Sequence, residues 1–231
     1  IAMKPVQFPL LSSLVAIAAL LTSSLLPAEA GQVMARLIFA NPPAETEPIG
    51  IATPLDGGDW KVHAEIDVRP SFVTDWIELP QGELRIVRKE KGRLNPVGSF
   101  QPAQGARRVL VVVVGKADAG GYRTQCIDPA KAGFGKGMLA VVNASEMNVT
   151  VTPGGDPKTV APGQVTVLRP LADENDGYRL LVNQEGEDGQ AAPSYDRYGP
   201  APGDSREFVV VLPGGANGVQ VVTATEFGPF K

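Results

Sequence analysis

Lys61-Val62-His63-Ala64-Glu65-Ile66-Asp67-Val68-Arg69 alternates without a break. Val62, Ala64, Ile66 and Val68 fall on one side, and Lys61, His63, Glu65, Asp67 and Arg69 on the other. A period of two is the mark of a strand with one buried face. Pro70 closes it. A second stretch, Val109-Leu110-Val111-Val112-Val113-Val114, has no polar side at all. It is β-branched and too short for an ordinary helix, so it reads as a central strand covered on both faces.

Working outward, further strands are expected at residues 34–40, 72–79, 83–89, 138–143, 147–152, 164–168, 178–182, 207–212 and 219–226. Pro80-Gln81-Gly82, Pro153-Gly154-Gly155-Asp156-Pro157 and Pro213-Gly214-Gly215-Ala216-Asn217-Gly218 are turn clusters between them. Gly and Pro number 26 and 21 of 231 residues, above the about 12% of an average protein. No segment after residue 30 sustains a period of 3.6. The expected class is all-β, an antiparallel β-sandwich.

Three fragments recur in order. Arg36-Leu37-Ile38-Phe39-Ala40-Asn41 echoes Met138-Leu139-Ala140-Val141-Val142-Asn143. Leu79-Pro80-Gln81-Gly82 echoes Ala161-Pro162-Gly163-Gln164, and Arg107-Arg108-Val109-Leu110-Val111-Val112-Val113 echoes Arg206-Glu207-Phe208-Val209-Val210-Val211-Leu212. Two related β units in tandem follow from this. Residues 31–117 would form the first and 138–231 the second. Residues 118–137, rich in Gly, Ala and Lys, read as a linker or long loop. Residues 184–205, acidic and rich in Pro, read as another loop long enough to carry function.

Residues 1–30 read as a helical signal peptide. Met3-Lys4 is the charged start, residues 10–21 the apolar run, and Pro27-Ala28-Glu29-Ala30 a cleavage site before Gly31. Ser12, Ser13, Thr22, Ser23 and Ser24 make the run a poor membrane span. The expected location is therefore the periplasm, the cell surface or the extracellular space, with no membrane span after cleavage. Net charge is −4, from 21 Lys+Arg and 25 Asp+Glu. That balance excludes nucleic acid as a partner, because counterion displacement needs a basic footprint. It also offers no polybasic handle for anionic lipid. Cys126 is the one cysteine, so the chain closes no internal disulfide, and the thiol reads as a half-buried side chain.

Leu139-Ala140-Val141-Val142-Asn143, Val149-Thr150-Val151-Thr152-Pro153-Gly154-Gly155 and Ala161-Pro162-Gly163-Gln164, behind the leader, resemble segments of uncharacterised exported bacterial proteins built from immunoglobulin-like sandwich units. The resemblance is clearest over residues 137–170. It implies two immunoglobulin-like units and an exported location, and it carries over no functional residues.

No catalytic, cofactor or metal constellation stands out. His63 is the only histidine. It shares a strand face with Glu65 and Asp67, but three side chains in one flat row seldom converge on an ion. Gly133-Phe134-Gly135-Lys136-Gly137 misses the phosphate-loop spacing, since Ala130 stands where Gly is needed and Gly137 where Ser or Thr is needed. Asp173-Glu174-Asn175-Asp176-Gly177 and Glu185-Gly186-Glu187-Asp188-Gly189 are acidic turns without the EF-hand pattern; weak calcium binding there stays open. Asp75, Glu78 and Glu83 are the remaining acids considered as paired carboxylates. Asn143-Ala144-Ser145 and Asn148-Val149-Thr150 match the glycan acceptor pattern, relevant only in a eukaryotic secretory route.

The candidate recognition residues are Tyr195, Asp196, Arg197 and Tyr198 in the Pro-rich loop, together with Trp60. Their rings suit a sugar face or a partner surface. The expected function is a non-enzymatic exported protein with a protein-interaction or structural role, its partner an envelope or cell-surface protein. A polysaccharide-binding module is the first alternative, favoured if these rings share one exposed surface. A hydrolase or metal-dependent enzyme around Glu65 and Asp67 is the second.

Overall fold

A computed structural model describes residues 31–43, 47–116, 120–185, 191–214 and 218–230, with the side chains of 185, 191 and 192 excepted. The proposed leader, residues 1–30, lies outside the described residues.

In chain order the strands are β1 (Gln32–Asn41), β2 (Ile49–Pro54), β3 (Trp60–Ile66), β4 (Phe72–Val73), β5 (Ile77–Pro80), β6 (Leu84–Glu90), β7 (Arg93–Phe100), β8 (Arg108–Gly115), β9 (Tyr122–Ile127), β10 (Leu139–Asn143), β11 (Val149–Pro153), β12 (Lys158–Val160), β13 (Val165–Leu168), β14 (Gly177–Glu185), β15 (Ala191–Pro200), β16 (Ser205–Pro213) and β17 (Val219–Phe227). One 3-10 turn, Asp56–Gly58, is the only helical element among the described residues. None of their helices is long and apolar enough to cross a membrane.

The strands form four sheets. β3-β2-β6-β7 and β4-β1-β8-β9, with β5 also on β1, come from the first half. β12-β11-β14-β15 and β13-β10-β16-β17 come from the second. Each half repeats one strand order, with β5, β1, β8 and β9 answering to β13, β10, β16 and β17. From Gln32 onward the chain forms one compact unit.

Three apolar clusters lie between the sheets. The first joins Leu37, Phe39 and Val111 to Ile51, Ile86 and Phe100. The third joins Val141 and Val209 to Val151, Leu180 and Val182. The second lies between the two inner sheets, where Ile38, Leu110 and Val112 meet Ala140, Phe208 and Val210. The strand β8 therefore splits its residues between two cores. Val109, Val111 and Val113 enter the first, and Leu110, Val112 and Val114 the second. The absence of alternation in this stretch has that cause. Burying each such side chain contributes about 1.5–3 kcal/mol.

Several features depart from expectation. The sheets are not wholly antiparallel: β1 pairs parallel with β8, and β10 with β16. Alternation reports which face is buried and carries no information on strand direction. The stretch 118–137 is not all linker. Tyr122–Ile127 forms β9 against β8, and Phe134 is buried in the second cluster, edge-on to Phe208. The stretch 72–79 is split into β4 and β5. Between them Thr74 Oγ1 accepts the Leu37 N–H at 3.0 Å. The strand β3 stops at Ile66, and a register shift opposite Ile51 and Ala52 leaves Val62 37% exposed. β2, β7, β12 and β15 were not expected from the sequence; Gly50, Pro96 and Pro193 break their patterns.

Candidate functional site

Tyr195, Asp196, Arg197 and Tyr198 lie on β15 and not on a loop. β15 is the outer strand of its sheet, paired only with β14. Pro193 and Pro200 are tolerated there because an edge strand has one free side. The strand period then sends the four side chains two ways. Tyr195 packs on the third cluster, and Arg197 turns inward beside it. Asp196 and Tyr198 face out. Trp60 opens β3 in a different sheet, opposite Pro54, and is half-buried. The expected aromatic group is therefore not brought together on one surface.

The outward pair is held by neighbours. Arg179 grips Asp196 through two bonds, Nε–Oδ1 at 2.8 Å and Nη2–Oδ2 at 2.5 Å. This contact holds the Asp196 carboxyl below its usual range. The Tyr198 hydroxyl donates to Asp173 Oδ2 at 2.7 Å. Asp173 Oδ1 accepts the N–H groups of Asn175 and Gly177 at 2.9 and 3.1 Å. The Tyr198 bond, then the Asn175 N–H, lowers the Asp173 carboxyl pKa. A Cβ at Gly177 would strike the Tyr198 ring and hydroxyl. The hydroxyl end of the ring thus rests on a glycine, tied there to Asp173, and Tyr198 is still 59% exposed.

Arg197, facing inward, meets two residues the sequence reading missed. Its Nη2 donates to Glu207 Oε1 at 2.6 Å and to the Tyr178 hydroxyl at 2.8 Å. The Tyr178 hydroxyl donates to Glu207 Oε2 at 2.6 Å. Glu207 is buried and Tyr178 is 1% exposed. Burial, then the Glu207 bond, pushes the Tyr178 phenol far above its ordinary pKa. Burial works most strongly against the charge on Arg197, but Glu207, Tyr178 and Tyr195 together outweigh it and the pKa is raised. Arg197 Nε is buried and has no hydrogen-bond partner in the protein.

Arg197 and Glu207 of this triad line a cleft of about 450 Å³ between β15 and β17. Thr225, Phe227 and Pro202 form its walls, with Tyr198 at the rim. Phe227 is 74% exposed. Glu207 was legible in one respect: Arg206-Glu207 interrupts what otherwise reads as a buried apolar strand.

The other candidates do not assemble. His63 Nε2 bonds Thr53 Oγ1 at 3.0 Å, and burial, then Lys61, lowers its pKa. Glu65 is exposed on β3, while Asp67 lies past the strand end. Asp75, Glu78 and Glu83 are all exposed, and Glu83 pairs with Arg85 at 2.9 Å. Among the described residues no three His, Cys, Asp or Glu come close enough to hold a metal ion. The acidic turn from 185 to 189 falls outside the described residues, the Glu185 backbone excepted. Asn143 is fully buried, its amide spent on Met147 O and Val160 O at 2.8 Å each; it is no glycan acceptor in the folded chain. Phe134 anchors the Gly133–Gly137 segment through its ring and through its carbonyl, which accepts Arg206 Nη1 at 2.8 Å. No family model matches the chain, and no curated protein is significantly similar to it.

Proposed function

We propose that this chain is an exported, non-enzymatic protein of the periplasm or cell surface, built from two immunoglobulin-like sandwich units, that acts by binding another envelope protein. The observation that carries this reading is the free edge of β17. It pairs with β16 in unbroken register over Val219–Phe227. It contains no Pro, Lys or Arg. The other long edges are guarded. β3, β7 and β15 each pair through a register shift. β3 also carries Lys61, β7 carries Arg93 and Pro96, and β15 carries Pro193 and Pro200. β12 and β13 are short. Thr124 of β9 is tied across to Ser99 O of β7 at 2.6 Å. Bulges, prolines and lysines are the usual means of stopping a sheet edge from pairing. An edge without them suits the addition of an extended segment from a partner.

A crosslinking pull-down from the native cell envelope tests this, with wild-type chain and Thr223→Lys as baits. Enrichment of one envelope protein by the wild type, lost with the lysine in the middle of β17, supports the reading. Recovery of no protein, with the bait pelleting on insoluble cell-wall polysaccharide, overturns it.

A further inference from the structure

We infer that the cleft lined by Arg197 and Glu207 is a binding site for a neutral sugar unit of a polysaccharide. This site shares Thr225 and Phe227 with the end of β17, but it does not depend on the edge reading.

The two halves share one strand order, so the first half shows what the corresponding end of a cluster needs for stability alone. Where β7 runs out and β8 begins, Phe100 and Val109 close the first cluster, 4% and 1% exposed. Where β15 runs out and β16 begins, Arg197 and Glu207 instead bond the hydroxyl of Tyr178, a member of the third cluster. A buried ion pair adds less stability than an apolar plug of similar volume, because both charges must leave water. The fold does not require the polar version. Its presence at the mouth of a cleft points to recognition.

Both Arg197 bonds within the protein leave from Nη2, and a third of the side-chain surface is exposed. The guanidinium fork has five N–H donors, so donors remain for a ligand. Glu207 supplies acceptor oxygens beside it. Donor and acceptor side by side match a pair of adjacent sugar hydroxyls. The opposite charges of Arg197 and Glu207 offset each other, so the floor gives an acidic sugar no advantage.

The rim of the cleft is aromatic. Phe227 and Tyr198 are two of the most exposed large apolar side chains among the described residues. Tyr198 is immobilised by Gly177 beneath it and by Asp173 at its hydroxyl. A ring already ordered loses little entropy when a ligand packs on it. Sugar rings present C–H faces suited to such platforms. The cleft volume of about 450 Å³ falls in the range of small-ligand sites.

The test is a ¹⁵N-NMR titration of the whole chain with cellohexaose, maltohexaose, laminarihexaose and, as the acidic comparison, hexagalacturonate. The expected result is that at least one neutral hexasaccharide shifts the Arg197 Nε–H and the amides of Gly199, Thr225 and Phe227. Phe227→Ala, an exposed position, should weaken that binding roughly tenfold while the remaining amide spectrum stays in place. Thr223→Lys should leave it unchanged, which separates this site from the edge reading. The proposal is overturned if no neutral hexasaccharide shifts these signals at ~10 mM, if hexagalacturonate binds more tightly, or if Phe227→Ala binds as the wild type does.

Discussion

Arg36 of β1 reaches Glu226 of β17 at 2.5 Å, from one inner sheet across to the other. The second carboxylate oxygen of Glu226 takes Arg206 Nε, also at 2.5 Å. The Arg206 and Glu226 side chains are 3% and 1% exposed. Arg36 lies 4.7 Å from the centroid of Trp76, and Arg206 lies 4.8 Å from that of Phe134. One acid thus joins two cations that belong to different halves of the chain.

Glu226→Ala should therefore destabilise the protein strongly. It leaves Arg206 charged and out of water with no counter-ion, a change that costs about 3–5 kcal/mol. Urea unfolding followed by circular dichroism measures it. A loss below about 1 kcal/mol would show that the pair contributes little to holding the inner sheets together.

The apolar contact between the inner sheets should make the two halves unfold together. Leu110 is fully buried in that contact. Leu110→Ala should cost about 2–5 kcal/mol. Trp60 and Trp76 both sit in the first half, so their fluorescence and the far-ultraviolet signal of the whole chain should still report one coincident transition. Separated midpoints would show that the second cluster does not couple the halves.

Burial pushes the Cys126 thiol up from its ordinary 9.0 to about 11, against the weaker effect of the Gln101 backbone bond. Only the thiolate reacts with iodoacetamide. Alkylation at pH 8 should run roughly a hundredfold slower in the folded chain than after unfolding. The raised pKa has a linked effect on stability. The folded state favours the protonated thiol, so this contribution is complete below about pH 9 and is lost as pH rises through 9 to 11. Fast labelling of the native chain at pH 8 would contradict the burial of this side chain.

Tyr198→Phe removes the hydroxyl that holds Asp173 and keeps the ring. The Asp173 carboxyl, now depressed chiefly by that bond, should titrate at higher pH, as followed by carboxyl ¹³C shifts. A depressed acid contributes stability above its unfolded pKa, and this is lost as pH falls through the folded value. In the variant that contribution becomes smaller. An unchanged Asp173 titration would mean that the Asn175 and Gly177 N–H groups alone set its pKa.

The sequence by itself determined the class and much of the strand inventory. The absence of alternation at Val109-Leu110-Val111-Val112-Val113-Val114 is a local consequence of how many faces a strand buries, so it is readable from its own residues; the alternation at Lys61-Val62-His63-Ala64-Glu65-Ile66 marked a strand, but the register shift opposite Ile51 and Ala52 left Val62 outside the buried face. The recurrence of Met138-Leu139-Ala140-Val141-Val142-Asn143 was legible for the same reason. Partnership was not. The parallel pairing of β1 with β8 joins segments far apart in the chain, and no local pattern encodes it. The tertiary structure alone put Arg197 against Glu207 and Tyr178, on three different strands, and set the hydroxyl end of Tyr198 on Gly177. It alone separated Trp60 from Tyr198, because they belong to different sheets. The physical reason is that side-chain period follows from backbone geometry residue by residue, whereas a site is made of contacts between strands, and those are decided only when all the apolar faces find cover at once.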